Sequence, residues 1–227
     1  MTPQPDQSEI SRKRSVFIVD DHPIARHGLI ALVKSEPDLE VCGHADTAGA
    51  ALSALRTTPA DLVILDVSLG GTSGIELAKQ LRAEHPGLLL LLVSMHDETL
   101  YAVRALRAGA QGYVMKSAGT ARLLEAIRKV SAGDVYVSPA FSNQLLFQAS
   151  GESSTKEKSL LDKLSDREME VLQLLGDGLS TKRIAEGLNL SPKTVETHRL
   201  HIKEKLGFNQ SSDLVFFAVN WVKNQAG

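Results

Sequence analysis

The sequence predicts an α/β doubly wound five-stranded parallel sheet followed by a small all-α domain of four helices. Three observations carry the prediction. Between residues 15 and 135, short apolar runs alternate five times with longer amphipathic stretches, the order of strand–helix units in an open parallel sheet. Several of those runs are apolar at every position, as strands covered on both faces must be. From Leu161 onward no strand signal appears, and only the helical period remains.

The expected strands are VFIV at 16–19, LEVCGHA at 39–45, DLVILD at 61–66, LLLLLV at 88–93 and GYVMK at 112–116. The stretches IARHGLIALVKS, TAGAALSALRTT, SGIELAKQLRAE, DETLYAVRALRAG and AGTARLLEAIRKVSAG separate and follow them. Each places leucine, isoleucine or valine at three- and four-residue spacing, which gives a helix one apolar stripe. Residues 138–160 break the rhythm, and Ser, Gly, Gln, Glu and Lys dominate 148–159 as in a linker, with a short helix expected over Phe141–Phe147. Beyond it, Ser165 and Glu168 have the reciprocal spacing of a capping box ahead of Met169, Leu172 and Leu175. Ser180 is a second N-cap. Ser191 is a third, with Pro192 at the first helical position and Gly207 ending that helix. NQSSDLVFFAVNWVKNQ makes the fourth helix. The expected division is a disordered segment at 1–14, domains at 15–135 and 161–227, and a linker at 136–160.

Bulk properties exclude several classes. A net charge of −2 marks the whole chain as neither a basic nucleic-acid binder nor an acidic tail. Cys42 is the only cysteine, so no internal disulfide can form, and a cysteine-based zinc site lacks ligands. The N-terminal MTPQPDQSEISRKR lacks the apolar core of a signal peptide, and the run Leu88–Val93 is far too short to cross a bilayer. A soluble cytoplasmic protein without membrane contact is expected.

In open parallel sheets, ligands bind beyond the carboxyl ends of the strands. The first run ends in Asp20–Asp21, the third in Asp66, the fourth in Ser94 and the fifth in Lys116. Three carboxylates on one rim need a counter-charge, and a hard divalent cation such as Mg²⁺ with oxygen ligands supplies it. An Asp in such a site can accept a phosphoryl group, with the cation and Lys116 stabilising the transferred charge. Any one of these aspartates alone reads better as a strand-ending or capping residue; the set of five residues does not. A phosphatase working through an aspartyl phosphate would want nucleophile and acid two apart on the first strand, which Asp20–Asp21 do not give. GGTSG lacks the Lys-Ser/Thr ending of a P-loop. His22 and His96 have no partners at ligand spacing, and the default for both is a surface or capping histidine.

At IVDDHP, LDVSLGGTSG, LVSMHD and GYVMKS the chain resembles the flavodoxin-like receiver domain of two-component response regulators, from about Ser15 to Ala132. The resemblance implies that Asp66 is the phosphoacceptor and that Asp20, Asp21, Asp66 and the Ser68 carbonyl support Mg²⁺, Asp21 directly. It further implies that Ser94 hydrogen-bonds the phosphoryl group, that Lys116 pairs with it, and that Tyr113 is a rotating switch aromatic. Ser68 and His96 would flank the path of the hydrolytic water. One departure stands out: receivers usually carry Pro four residues after the acceptor, and this chain has Gly70–Gly71, which loosens the loop.

The helices on either side of Asn189–Ser191 fit a helix-turn-helix, whose second helix enters the major groove. On Pro192–Leu206 the stripe Val195, Ile202 and Leu206 is expected core, while Lys193, Arg199, Lys203 and Lys205 outnumber Glu196 and Glu204. That excess alone would suit any solvated helix. The whole run LSDREMEVLQLLGDGLSTKRIAEGLNLSPKTVETHRLHIKEKLG, however, resembles the DNA-binding domain of NarL/LuxR-type regulators. The resemblance implies that Glu196, Thr197 and Leu200 face base edges, that Lys193, Thr194, Arg199 and Lys203 hold phosphates, and that His198 braces the helix. It also implies a dimer through the last helix, matching an inverted-repeat site on double-stranded DNA. Together the halves imply a regulator that is not an enzyme and takes its phosphoryl group from a sensor histidine kinase or phosphotransfer protein. The alternative is a phosphorylation-independent receiver acting as an interaction module on a DNA-binding regulator.

Overall fold

The computed structural model describes residues 12–149 and 160–225. Five parallel strands form the sheet: β1 (Arg14–Val19), β2 (Leu39–Ala45), β3 (Leu62–Asp66), β6 (Leu89–Ser94) and β7 (Gly112–Met115). Their order is β2-β1-β3-β6-β7, so the chain reverses direction across the sheet after β2. That reversal opens a crevice beside the carboxyl ends of β1 and β3. The all-apolar runs are the inner strands β1, β3 and β6, buried nearly end to end, whereas the edge strand β2 is only partly covered. A two-residue hairpin, β4 (Ser68–Leu69) with β5 (Thr72–Ser73), lies just after β3 and has no signal in the sequence pattern.

Helices α1 (Pro23–Lys34) and α5 (Thr120–Ser131) cover one face, closing a core of Val16, Ile18, Ile64, Leu91, Leu29, Val33 and Ile127. Helices α2 (Ala48–Leu55), α3 (Gly74–Glu84) and α4 (Glu98–Arg107) cover the other, where Phe17, Val19, Leu65, Leu92, Ile75, Leu81, Tyr101 and Ala105 meet. Local chemistry sets the helix starts. The side chains of Thr47, Ser73 and Asp97 accept from backbone N–H groups in the first turns of α2, α3 and α4.

The stretch read as the start of a linker is packed on the sheet. Tyr136 O accepts from Tyr113 N at 2.9 Å, and Ser138 N donates to the buried Glu98 carboxylate at 2.7 Å. Helix α6 (Pro139–Ala149) follows with Phe141 buried, longer than the expected Phe141–Phe147. Composition hides this because two aromatic anchors hold an otherwise polar stretch. The rest of the expected linker, 150–159, and residues 1–11 of the expected disordered segment lie outside the described residues.

The C-terminal domain contains α7 (Asp166–Gly176), α8 (Thr181–Gly187), α9 (Pro192–Leu206) and α10 (Ser211–Gln225). Ser165 and Glu168 form the reciprocal capping box, Ser180 and Ser191 cap α8 and α9, and Gly207 ends α9 in the left-handed region at φ 76°. Val195, Ile202 and Leu206 are buried as the stripe predicted.

The two domains are docked. One apolar cluster runs from Tyr101 and Ala105 of α4 through Leu161, Leu164 and Met169 to Ile202 and Trp221. Arg104 of α4 donates to Leu161 O at 2.6 Å, Leu164 O at 2.8 Å and Asp166 Oδ1 at 3.2 Å. Lys79 of α3 reaches Asp166 Oδ2 at 3.2 Å. Glu170, fully buried, lies in this region and pairs with Arg167. Burial pushes its carboxyl up to about 7, against the pull of the Arg167 guanidinium.

Candidate functional site

Four strands deliver the rim residues to one place. Asp20 follows β1, Asp66 and Ser94 end β3 and β6, and Lys116 follows β7. Lys116 Nζ sits 2.8 Å from Asp20 Oδ2 and 2.7 Å from Asp66 Oδ2, one ammonium bridging two carboxylates. Both carboxylates are almost fully buried. Burial raises the Asp66 carboxyl to about 6; Lys116 opposes that rise and Asp20 adds to it. Burial works against the Lys116 ammonium, yet Asp66 and Asp20 together hold its pKa above the usual lysine range.

Asp21 points into the same cluster from the mouth of the site. Its Oδ2 accepts from Gly70 N at 2.8 Å, tying the loop after β3 to the end of β1. Its Oδ1 is buried and accepts no hydrogen bond. An orphaned carboxylate oxygen among three aspartates makes the pocket compatible with a divalent cation. The carboxylates of Asp20, Asp21 and Asp66 and the His22 ring offer ligand atoms within 4.8 Å of one another. His22 is exposed at the N-cap position of α1, in line with the default reading, and its ring also lies beside the acidic cluster.

His96, by contrast, is no surface residue. Its ring stacks on Tyr101 with centroids 4.7 Å apart, and its Nε2 is 2.8 Å from Ser68 Oγ. Burial lowers its pKa to about 4, helped by the charges of Lys116 and of Arg167 from the C-terminal domain. The ring is therefore neutral near pH 7. The β6–α4 loop is pinned from both sides: His96 N donates to Ser94 Oγ at 3.0 Å, and Tyr113 OH donates to His96 O at 2.9 Å. Tyr113 is wholly buried in this state, and that burial pushes its phenol far above the ordinary range.

Gly74 explains the tight geometry after β3. Its N donates to Val67 O at 2.6 Å, and a Cβ there would stand 1.9 Å from the Asp66 carbonyl oxygen. The Gly70–Gly71 loop meets the C-terminal domain directly. Gly71 N donates to Leu188 O at 3.4 Å, and a Cβ on Gly70 would lie 2.9 Å from Asn189 Nδ2. Asn189, at φ 56°, forms the turn between α8 and α9. The acidic site and the helix-turn-helix therefore touch through one loop. The charged interdomain residues Lys79, Arg104 and Asp166 went unseen in the sequence, because a charge on an amphipathic helix reads as solvated.

On α9, Lys193, Glu196, Thr197 and Leu200 are exposed, while Thr194, His198, Arg199 and Lys203 are half-buried. Glu196 and Arg199 are already paired at 2.9 Å, and both bond Thr181 of α8 at 2.7 Å. Thr197 turns its hydroxyl back to Lys193 O at 3.0 Å. On α10, Leu214, Ala218 and Trp221 pack inward and Phe216 stands in solvent. No helix among the described residues is long and apolar enough to cross a membrane.

Comparison with known proteins gives two family matches: "Response regulator receiver domain" over residues 16–128 and "Bacterial regulatory proteins, luxR family" over residues 162–218. The chain is 35% identical over 204 residues to response regulator GacA of Pseudomonas viridiflava, spanning 90% of this chain and 94% of that one. It is 35% identical over 211 residues to a nitrate/nitrite response regulator protein homolog of Haemophilus influenzae, spanning 92% and 98%. Among solved structures, RcsB of Salmonella enterica serovar Typhimurium bound to promoter P1flhDC with the phosphomimetic BeF3⁻ aligns with TM-score 0.61 at 25% identity, covering 91% of this chain and 98% of that one. A LuxR-family response regulator from Aurantimonas sp. aligns with TM-score 0.57 at 34% identity, over 60% of this chain and 98% of that one.

Proposed function

The chain belongs to the LuxR-type family of two-component response regulators, and from that premise we propose that Asp66 is its phosphoacceptor and that phosphorylation there controls DNA binding by residues 161–227. The observation that carries the reading is the Lys116 ammonium held between the buried Asp20 and Asp66 carboxylates at 2.8 and 2.7 Å. An ammonium so placed can follow the charge onto a phosphoryl oxygen without leaving the site. The donor is a sensor histidine kinase or phosphotransfer protein. An Asp66 carboxylate oxygen forms the new P–O bond as the donor's P–N bond breaks, and the leaving imidazole takes its proton from water. Asp20, Asp21, Asp66 and the Ser68 carbonyl would hold Mg²⁺, which supplies charge neutralisation for the transferring group.

Once bonded to Asp66, the phosphoryl group brings roughly two negative charges to a rim already crowded with carboxylates. Lys116 and the Ser94 hydroxyl turn to it, and the Ser94–His96 and Tyr113–His96 bonds that pin the β6–α4 loop are the contacts to rearrange, with Tyr113 as the switch. The Gly70–Gly71 loop would carry the change to the turn at Leu188–Asn189. Domain docking is then the bistable element that phosphorylation biases. The free domain binds DNA through α9, with Glu196, Thr197 and Leu200 toward base edges and Lys193, Thr194, Arg199 and Lys203 toward phosphates; His198 braces the helix. A homodimer through α10, where Phe216 is exposed, matches an inverted-repeat site, and the protein works in the cytoplasm.

Labelling with a small acyl-phosphate donor and Mg²⁺ tests the acceptor. The parent should take up acid-stable, base-labile label and Asp66→Asn none; label remaining on Asp66→Asn contradicts the assignment. DNA-binding curves with and without the donor test the control: the parent's affinity should rise and that of Asp66→Asn should not.

A further inference from the structure

His22 is committed neither to capping nor to the core. It occupies the N-cap of α1 without a side-chain cap bond, and its backbone N–H already donates to Asp20 Oδ1 at 2.8 Å. The ring is 64% exposed yet lies over the acidic cluster, with Nδ1 2.7 Å from Asp21 Oδ1, 3.6 Å from Asp20 Oδ1 and 4.0 Å from Asp66 Oδ2. Asp21 Oδ1 accepts no hydrogen bond, so the 2.7 Å approach lacks the geometry of an N–H···O contact. Two ligand atoms on one edge of a six-coordinate ion, each about 2.1 Å from it, stand about 3 Å apart. Lys116 already neutralises Asp20 and Asp66 from the inner side, which leaves Asp21 Oδ1 and the His22 ring as the pair at the solvent mouth.

The chemistry of that pair differs from the chemistry of carboxylates alone. Mg²⁺ keeps oxygen ligands and water, whereas first-row transition ions take imidazole readily. We propose that His22 is a nitrogen ligand that sets the cation preference of this site, giving Mn²⁺ a bond that Mg²⁺ does not use. The inference rests on the reading of Asp21 and Asp66 as cation-holding residues. In a cell containing both ions, such a site would hold the transition ion at concentrations where oxygen ligands alone would favour Mg²⁺ by abundance.

The test is Mn²⁺ binding to the full chain, followed by electron paramagnetic resonance. The parent should show one Mn²⁺ displaced by excess Mg²⁺ and a ¹⁴N modulation from directly bound imidazole. His22→Ala and His22→Gln should weaken Mn²⁺ by about tenfold or more and erase the modulation, while Mg²⁺ affinity, measured by calorimetry, changes less than about twofold. Unchanged Mn²⁺ affinity or a persisting nitrogen signal in both variants overturns the proposal, as does an equal loss for the two ions. Asp21→Asn separates the layers. If it leaves both ions bound as in the parent, the cation-site reading itself fails. If it removes both while His22 variants do nothing, only the role of His22 falls.

Discussion

Replacing Arg104 by methionine should uncouple the two domains while leaving each folded. The three side-chain bonds of Arg104 all end on the C-terminal domain, at Leu161 O, Leu164 O and Asp166 Oδ1, and the side chain is only 13% exposed. Methionine keeps the aliphatic packing and removes the donors. Hydrogen bonds involving a charged group contribute about 1.5–3 kcal/mol each, and breaking a buried pair from one side costs about 3–5 kcal/mol. Lys79 still partners Asp166 at 3.2 Å, so the lower figure applies. At about 1.4 kcal/mol per power of ten, 3 kcal/mol lowers the docking constant by roughly two powers of ten. Trp221, the only tryptophan, is buried in α10 and reports the C-terminal domain. With a urea slope of about 1–3 kcal/mol per molar, its unfolding midpoint should fall by about 1 M or more in Arg104→Met. The sheet domain, followed by its tyrosines, should keep its own midpoint. If both midpoints stay, docking does not depend on Arg104. If both fall together, Arg104 stabilises its own domain and the reasoning is wrong.

Gly74→Ala should destabilise the sheet domain by at least about 2 kcal/mol in urea titration and slow acyl-phosphate labelling, because the new Cβ meets the Asp66 carbonyl at 1.9 Å. Tyr113→Phe leaves His96 O without its donor and should cost about 1–2 kcal/mol; an unchanged midpoint would mean the β6–α4 loop is held by Ser94 alone. Glu170, raised by burial to about 7 from an unfolded 4.5, keeps its proton in the folded state over a range where the unfolded chain loses it. That contribution is fully present below about pH 4.5 and disappears as pH rises through 7, a loss of up to about 3 kcal/mol. Glu170→Gln should therefore be more stable than the parent at pH 8 and no more stable at pH 4.5, and a constant difference across that range would refute the assignment.

The strands and the rim were legible because each obeys a rule that acts locally. A strand buried on both faces must be apolar throughout, as Val16–Val19, Leu62–Leu65 and Leu89–Val93 are. The groups that follow such runs must then meet at one edge, and the structure brings Asp20, Asp66 and Lys116 within hydrogen-bond distance. Caps at Ser165, Ser180 and Ser191 were legible for the same reason, since donor and acceptor lie three residues apart. What escaped depends on distant partners. Arg104 and Asp166 are 62 residues apart, and neither has a local pattern that distinguishes it from a solvated charge. The partly buried setting of the His96 ring escaped because its partner Ser68 lies 28 residues away, in the hairpin after β3. Tyr136 and Phe141 turned an apparent linker into packed structure on the strength of two side chains.

The loop at Gly70–Gly71 bears on how such chains can be recombined. Gly70 supplies an N–H to Asp21, leaves no room for a side chain beneath Asn189, and is followed by an N–H that reaches Leu188. A proline at position 70 would remove the first of these donors and crowd the second domain. A receiver transplanted from a relative with the usual proline would therefore arrive without the seat on which this helix-turn-helix rests. The two halves look like modules, but a chimera would have to carry Gly70, Gly71 and Asn189 together to keep this contact.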